Sequence, residues 1–185
     1  DVSKSGGADA FARVAGYELE VDPRVFDGPM VEKSQMNGAH DGRIIEGPME
    51  PLAGKTYQRV IDNEIEGGLV EDLRCCLVAG EPAVSFRKRR PLARRFLNEN
   101  AEVILDQPAN CYTRDELDVI RRFAGEIGLD WGGIDVLRDR ESNRIYIVDA
   151  NKTDMGPPMA LKLGDKLKAT RRMARAFAER LAPRR

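Results

Sequence analysis

The chain has 185 residues, 33% of them charged, with a formal net charge of −1 at pH 7. This length fits one domain or a compact pair of subdomains, and the balanced charge does not indicate nucleic acid or an anionic membrane as a partner. No apolar run approaches the ~20 residues that a membrane span needs, and no signal peptide is visible, so we expect a cytoplasmic protein.

The N-terminal part predicts short strands joined by turns. Residues 17–21 alternate between apolar and polar side chains and are followed by a turn. A second strand ends at Lys33, a loop of small and polar residues spans 34–42, and residues 43–45 resume a strand. A lysine beside a flexible loop can present an ammonium and backbone N–H groups to phosphate oxygens. Local features alone favour an ordinary hairpin with an exposed lysine.

The middle of the chain predicts further strands. Residues 57–62 form one strand-like run, and residues 71–89 read as two strands around a tight turn at 80–82. Asp72 and Arg74 share one face of the first of these two strands. The chain has three cysteines, and we interpret them as buried reduced thiols.

The most basic stretch is Arg87 to Arg95, with the sequence RKRRPLARR. Such a run is usually a solvated face, and it could also dock an acidic partner or nucleic acid. Only Phe86 and Phe96 accompany the run, so stacking on single-stranded nucleic acid is poorly supported. The sequence does not show which of these cations point inward.

Two helices are predicted in the C-terminal half. Thr113 and Glu116 form a capping box, and an apolar stripe follows it until Gly128 ends the helix. A second amphipathic helix spans 165–181. We expect its packing side to carry Leu167, Met173, Ala174, Phe177 and Leu181.

Between these helices, residues 132–158 predict a hairpin with apolar runs at 134–137 and 145–148. Asp135 and Asp149 then lie opposite each other on antiparallel strands, where like charges are destabilising unless something neutralises them. Asn151 points to the same face, two residues beyond Asp149. Two carboxylates and an amide oxygen make a site of the kind that Mg²⁺ uses together with substrate phosphates. Ordinary turn chemistry is the alternative.

This hairpin resembles the carboxyl-terminal metal motif of ATP-grasp enzymes. A Gly-Ile-Asp-Val run, a turn, and a strand that ends in acid-x-Asn before a Gly/Pro loop are similar to that motif. The resemblance implies that Asp135, Asp149 and Asn151 hold Mg²⁺ against ATP, with Mn²⁺ as an alternative metal. Asp149 stands where the family most often has Glu, and it is one methylene shorter.

The resemblance further implies an α+β fold, in which two α+β subdomains hold the nucleotide between antiparallel sheets. Residues 1–57 would form the smaller subdomain with its phosphate-loop lysine, and residues 58–185 the larger one with the metal hairpin and the C-terminal helix. Many ATP-grasp enzymes carry an additional N-terminal domain, and this chain has little room for one. The implied ATP-binding residues are Lys33, Ser34, Gln58, Val60, Ile61 and Asp72.

The activity implied by the resemblance is that of an ATP- and Mg²⁺-dependent ligase, most commonly one that forms a carbon–nitrogen bond. A substrate carboxylate is activated as an acyl-phosphate and then attacked by an amine or a similar nucleophile. Arg74, Arg87 and Lys88 are the implied catalytic residues. The implied partners are ATP and a small carboxylate-containing substrate, with neither membrane nor nucleic acid, and a homodimer is left open.

Two alternatives stay open at this point. One is an ATP-grasp kinase, which leaves the phosphoryl group on its acceptor instead of releasing it. The other is a non-catalytic ATP-grasp-like module that binds an acidic partner through residues 87–95. The roles of His40 and Lys4 also stay open, as does that of Asn98 behind the basic run.

Overall fold

The computed structural model describes residues 4–35, 41–97, 99–153 and 156–181. A three-stranded antiparallel sheet in the order β2-β1-β3 contains β1 (Gly28–Ser34), β2 (Arg43–Gly47) and β3 (Lys55–Arg59). A six-stranded sheet in the order β7-β6-β5-β8-β9, with β4 beside β5, contains β4 (Glu64–Ile65), β5 (Leu69–Val78), β6 (Glu81–Pro91), β7 (Glu102–Asp106), β8 (Trp131–Arg138) and β9 (Ile145–Asn151). The helices are α1 (Lys4–Ala15), α2 (Pro108–Cys111), α3 (Arg114–Ile127) and α4 (Leu163–Leu181).

The main hydrophobic core lies between one face of the large sheet and the helices α1 and α3. Alternate residues of β5 and β8, such as Leu73 and Ile134, are fully buried there against Phe11 and Phe123. The capping box predicted at Thr113 is present, and α3 ends at Gly128 with a left-handed φ of 63°. This core fixes the large sheet and therefore the direction in which its other face points.

The other face of the large sheet is divided into an apolar end and a polar end. At the apolar end, Cys76, Val84 and Phe86 pack against Ala169 of α4. Further along the same strands, this face carries charged side chains, namely Asp72 and Arg74 of β5 and Lys88 and Arg90 of β6. Because one-residue alternation places these side chains on a single face, the polar end forms a charged floor beside the apolar packing.

Helix α4 packs through a different stripe from the one that its sequence predicts. Ala169 and Ala176 are buried, whereas Leu167 and Phe177 are 54% and 49% exposed. Ala174 is exposed and Met173 is partly buried. The predicted packing side is therefore wrong at Leu167 and Ala174, because small residues allow the helix to approach the sheet more closely than Leu does. Met173 packs against the sheet as predicted, and the half-exposed Phe177 makes an edge contact with the Trp131 ring of β8 at 5.9 Å. The side chain of Leu181 lies outside the described residues.

Two neighbouring segments connect the small sheet to the rest of the chain. Residues 19–21 lead towards it, residues 57–59 are the last residues of β3, and these two segments are hydrogen-bonded to each other. The Arg59 N–H donates to Leu19 O at 3.0 Å, and the Val21 N–H donates to Tyr57 O at 3.1 Å. The predicted strand 57–62 ends at Arg59, so residues 60–63 form the linker between the sheets.

The three cysteines are free and buried, which confirms their interpretation as buried thiols. Burial raises the pKa of the Cys75 thiol to about 12. Among the helices of the described segments, none is both long enough and apolar enough to cross a bilayer.

Candidate functional site

A cavity of about 140 Å³ lies between the two sheets. Val31 and Lys33 of β1 line one side of it, and Leu137 and Val148 of the large sheet line another. The Lys33 ammonium crosses this space and donates a hydrogen bond to Val148 O at 3.0 Å. The side chain predicted to hold phosphate is therefore placed where the two sheets meet. The complete lining is Val31, Lys33, Gln58, Arg59, Ile61, Asn63, Asp72, Arg95, Phe96, Leu137 and Val148.

The linker wall of the cavity is fastened by Asn63. Its side-chain amide donates to Glu71 O at 2.9 Å and to the Asp72 carboxylate at 3.0 Å. Its backbone N–H donates to Ile61 O at 3.0 Å, and its backbone O accepts from Glu71 N at 3.1 Å. These bonds hold the linker against the edge of β5, so its backbone groups face the cavity in a fixed orientation.

The basic residue Arg95 also reaches this wall. Its guanidinium donates to Ile61 O at 2.7 Å and to Asn63 Oδ1 at 3.3 Å. Burial lowers the pKa of Arg95. Its guanidinium carbon lies 5.5 Å from the centre of the neighbouring Phe96 ring. Both side chains line the cavity.

A charged cluster lies on the floor of the large sheet, one row away from the cavity. The Asp135 carboxylate accepts from the Arg74 guanidinium at 3.0 Å and from the Lys88 ammonium at 2.7 Å. Burial raises the pKa of the Asp135 carboxyl, but Lys88 and Arg74 more than offset this and hold it at about 2. Gly133 makes room for the cluster, since an alanine Cβ there would lie 2.6 Å from the Arg74 guanidinium.

The predicted metal ligands lie on this same floor. Asp135 and Asp149 are direct cross-strand partners on β8 and β9, as predicted, and a register shift follows Asp135. The Asn151 amide donates to the Asp149 carboxylate at 3.0 Å. Within the described segments there is no group of three or more His, Cys, Asp or Glu residues that could hold a metal.

The donor set nevertheless fits Mg²⁺. Mg²⁺ prefers oxygen ligands, keeps several waters, and usually takes one or two carboxylates together with substrate phosphates. Asp135 and Asp149 supply two carboxylates at adjacent positions, and Asn151 supplies an amide oxygen. Because each carboxylate oxygen has two lone pairs, the oxygens of Asp135 that accept from Arg74 and Lys88 retain one each.

The basic run is an internal ion-pair network. Arg87 and Arg89 both pair with Glu71, at 2.9 and 2.8 Å. Lys88 and Arg90 point to the opposite face and pair with Asp135 and Asp72. The cations predicted as a docking surface at 87–90 are thus satisfied within the chain. Arg87 pairs with Asp106 as well as Glu71, so it does not join Arg74 and Lys88 at Asp135.

The structure gathers most of the predicted nucleotide residues. Lys33, Gln58, Ile61 and Asp72 line the cavity, whereas Ser34 and Val60 do not. The Asp72 carboxylate, implied as a ribose ligand, is already bonded to Asn63 and paired with Arg90. His40 and Asn98 lie outside the described residues, as does the side chain of Lys4.

Sequence reasoning missed Arg90 beside Asp72 and several residues of the cavity lining, which are Val31, Arg59, Asn63, Phe96, Leu137 and Val148. Arg90 carried a signal, because it stands two residues from Lys88 and strand alternation places the two side chains on one face. Asn63 follows the predicted strand with no motif around it, and Phe96 follows a charge run that drew attention to its cations instead.

Comparison with solved structures finds the same architecture in ATP-grasp ligases. The ligase PsnB, solved with a phosphomimetic variant of a minimal precursor, Mg and ADP, is 14% identical, with a TM-score of 0.58 over 95% of this chain and 58% of its own. A Chryseobacterium gregarium RiPP-associated ATP-grasp ligase, solved with ADP and a leader and core peptide, is 14% identical, with a TM-score of 0.57 over 98% and 60%. D-alanine–D-alanine ligase from Bacillus anthracis is 13% identical, with a TM-score of 0.56 over 96% and 66%.

The present chain thus spans 58% to 66% of the length of these three proteins. No protein-family model matches the sequence, and no curated protein matches it. Similarity at this level of identity shows a shared fold, and it confirms the predicted α+β ATP-grasp architecture.

Proposed function

Because the chain has the ATP-grasp fold, we propose that it acts as an ATP- and Mg²⁺-dependent ligase that forms a carbon–nitrogen bond. The observation that carries this proposal is the meeting of both sheets at one cleft. Lys33 of the small sheet reaches Val148 O on β9, and the next residue of β9, Asp149, faces Asp135 with its two cations. A nucleotide bound between the sheets would then meet three sets of groups along its length: the Lys33 ammonium, the two carboxylates, and the two cations beside Asp135.

The base of the nucleotide is assigned to the cavity beside the linker. Apolar walls formed by Val31, Leu137 and Val148 suit an aromatic ring, and Ile61 offers its backbone to the edge of the base. Lys33 lies at the metal-facing side, where its ammonium can move from Val148 O to a phosphate oxygen. Asp72 remains the ribose candidate through lone pairs that Asn63 and Arg90 leave open.

Asp135, Asp149 and Asn151 are the residues that would hold Mg²⁺, with Mn²⁺ as the alternative. A bound ion supplies neutralisation of the charge on the β- and γ-phosphate oxygens. Asp135 also keeps Arg74 and Lys88 in place, since its carboxylate accepts a hydrogen bond from each. These cations are thus positioned before substrate arrives, so they do not have to reorganise during the reaction.

Arg74 and Lys88 are the proposed binding groups for the transferring phosphoryl group. An oxygen of the substrate carboxylate attacks the γ-phosphorus, the bond to the β-γ bridging oxygen breaks, and ADP leaves. The nucleophilic nitrogen then attacks the carbonyl carbon of the acyl-phosphate, loses a proton, and expels inorganic phosphate. The planar guanidinium of Arg74 suits phosphate bidentately, and Lys88 adds a point charge. Arg87 is left out of this role because it pairs on the opposite face.

The test is a thermal-shift titration with a non-hydrolysable ATP analogue, with and without Mg²⁺. A ligand that binds only the folded state stabilises it by about 2.7 kcal/mol at one hundred times its Kd. We expect a shift that Mg²⁺ enlarges in the parent and in the control Asp118→Asn, but not in Asp149→Asn. An equal effect of Mg²⁺ on all three proteins would contradict the proposed metal site.

Product analysis then separates a ligase from a kinase. We expect ADP and free phosphate in equal amounts when the correct acid and amine are both present, whereas a kinase leaves the phosphoryl group on its acceptor. The proposed partners are ATP and a carboxylate-containing substrate. Peptide carboxylates belong in the screen beside small acids, because two of the structural neighbours were solved with precursor or core peptides. Cytoplasmic location is part of the same proposal.

A further inference from the structure

The turn between β6 and β7, which we call the 92–97 turn, reaches the cavity through two of its side chains. Its aliphatic side chains make no core, since Leu92 and Leu97 are 39% and 47% exposed. Arg94 is exposed and pairs only with the exposed Glu99 among the described contacts. The side chains of Arg95 and Phe96 point inward and line the cavity. The backbone of the turn is held separately, since the Leu92 N–H donates to Gly68 O at 3.0 Å and the Arg90 guanidinium donates to Arg95 O at 3.1 Å.

Phe96 fastens this turn to the small sheet. A Cβ added to Gly42, the residue before β2, would lie 2.7 Å from the Phe96 ring, so the ring rests directly on that backbone. Arg95 fastens the turn to the linker through Ile61 O at 2.7 Å. The turn belongs to the large sheet and yet spans the mouth of the cavity to reach the small sheet and the linker.

The Ile61 carbonyl is fully committed in this arrangement. It accepts from the Asn63 N–H at 3.0 Å and from the Arg95 guanidinium at 2.7 Å, and a carbonyl oxygen has two lone pairs. The exocyclic amino group of adenine is a hydrogen-bond donor, and in the proposed site it would need an acceptor on the linker. Since Asn63 has three further hydrogen bonds with Glu71 and Asp72 of β5, Arg95 is the partner that can leave.

We propose that the 92–97 turn is a lid and that Arg95 competes with the adenine base for Ile61 O, so that Arg95 lowers the affinity of the site for an adenine nucleotide. This inference rests on the proposed nucleotide-binding function. Without nucleotide, Arg95 and Phe96 fill the base subsite. When ATP enters, Arg95 releases the carbonyl and the turn swings off the cavity mouth.

If only molecules with an open lid bind nucleotide, the apparent affinity is the intrinsic affinity multiplied by the fraction of molecules whose lid is open. A lid that is open in about one molecule in ten weakens the apparent Kd about tenfold. Removing the Arg95 side chain abolishes the competing hydrogen bond and leaves Ile61 O with one free lone pair. The apparent affinity for an adenine nucleotide should then rise.

Calorimetric titration of the whole chain with a non-hydrolysable ATP analogue and Mg²⁺ tests this lid. We expect Arg95→Ala to bind the analogue about tenfold more tightly than the parent, and Phe96→Ala to move in the same direction. Arg94→Ala is the matched control, because it removes an equal charge from the same turn, and its Kd should equal that of the parent.

Equal or weaker binding by Arg95→Ala overturns the lid while leaving the proposed ligase intact, provided that the parent binds. A parent that prefers the GTP analogue, with that preference lost in Arg95→Ala, also overturns it, because Arg95 would then be a direct base contact. If neither the parent nor any variant binds a nucleotide, the proposed function itself fails.

Discussion

Replacing Asp135 by Asn is the most informative single perturbation of this protein. The substitution keeps the shape of the side chain and removes the charge that faces Arg74 and Lys88, both of which are only 15% exposed. One carboxylate oxygen becomes an amide NH₂, so one of the two cations loses its acceptor and meets a donor instead. The fold should therefore lose stability even without nucleotide or metal.

The size of this loss follows from the pKa of Asp135. The carboxyl group is 19% exposed, and its pKa is lowered from 3.8 to about 2. That change corresponds to about 2 kcal/mol, because each tenfold change in proton affinity is worth about 1.4 kcal/mol. Because its pKa is lower in the folded than in the unfolded state, the ionised carboxylate stabilises the fold at pH values above the unfolded-state pKa. This stabilisation is lost as the pH falls through the folded-state pKa. The advantage of Asp135 is therefore complete above about pH 5 and disappears between about pH 4 and pH 2.

Urea unfolding in metal-free buffer at pH 7 and at a series of lower pH values measures this effect. We expect Asp135→Asn to be about 2 kcal/mol less stable than the parent at pH 7, with the difference shrinking as the pH falls towards 2. Asp118→Asn is the control, since it breaks an exposed pair with Arg121 and should cost less than about 1 kcal/mol. A difference below about 0.5 kcal/mol at pH 7, or one that does not change with pH, would refute the reasoning.

Three further substitutions test the site and the scaffold. Gly133→Ala would place a Cβ 2.6 Å from the Arg74 guanidinium, so we expect the proposed ligase activity, measured as ADP release, to fall at least about tenfold; unchanged turnover would show that Arg74 is not needed. Lys33→Met should weaken binding of the ATP analogue by roughly tenfold or more, since a hydrogen bond to a charged group is worth about 1.5–3 kcal/mol, whereas Lys55→Met on the same sheet should bind as the parent does. Gly125→Ala lies in α3 with open space around it and should raise the free energy of unfolding by about 0.5–1 kcal/mol in urea; a loss of stability would contradict the described packing of that helix.

The sequence predicted the β8–β9 hairpin well because two strong local rules act on it. Antiparallel pairing and a polar turn place Asp135 opposite Asp149, and this pairing survives the register shift that follows Asp135. The capping box at Thr113 is equally local. Both features depend on residues that are close in sequence, so neighbouring side chains settle them.

The cations of β6 show what the sequence could not settle. Alternation along a strand separates Arg87 from Lys88, but it does not say which of them faces the site. That choice depends on which face the distant helices α1 and α3 cover. Helix α4 poses the same problem, since it carries one apolar stripe with Leu167 and Phe177 and another with Ala169 and Ala176. Only the shape of the sheet beneath decides which stripe packs.

Because the segments 19–21 and 57–59 are paired, the small sheet is a unit that the chain enters and leaves at one place. The chain enters and leaves this sheet through segments that lie side by side. They are joined by hydrogen bonds from the Arg59 N–H to Leu19 O and from the Val21 N–H to Tyr57 O. The residues between these segments could be replaced by another unit whose two ends pair in the same way. The main core would not change, because it is built from α1, α3 and the large sheet. One continuous stretch of the gene therefore encodes the small sheet, and replacing it would leave the carboxylates of β8 and β9 in place.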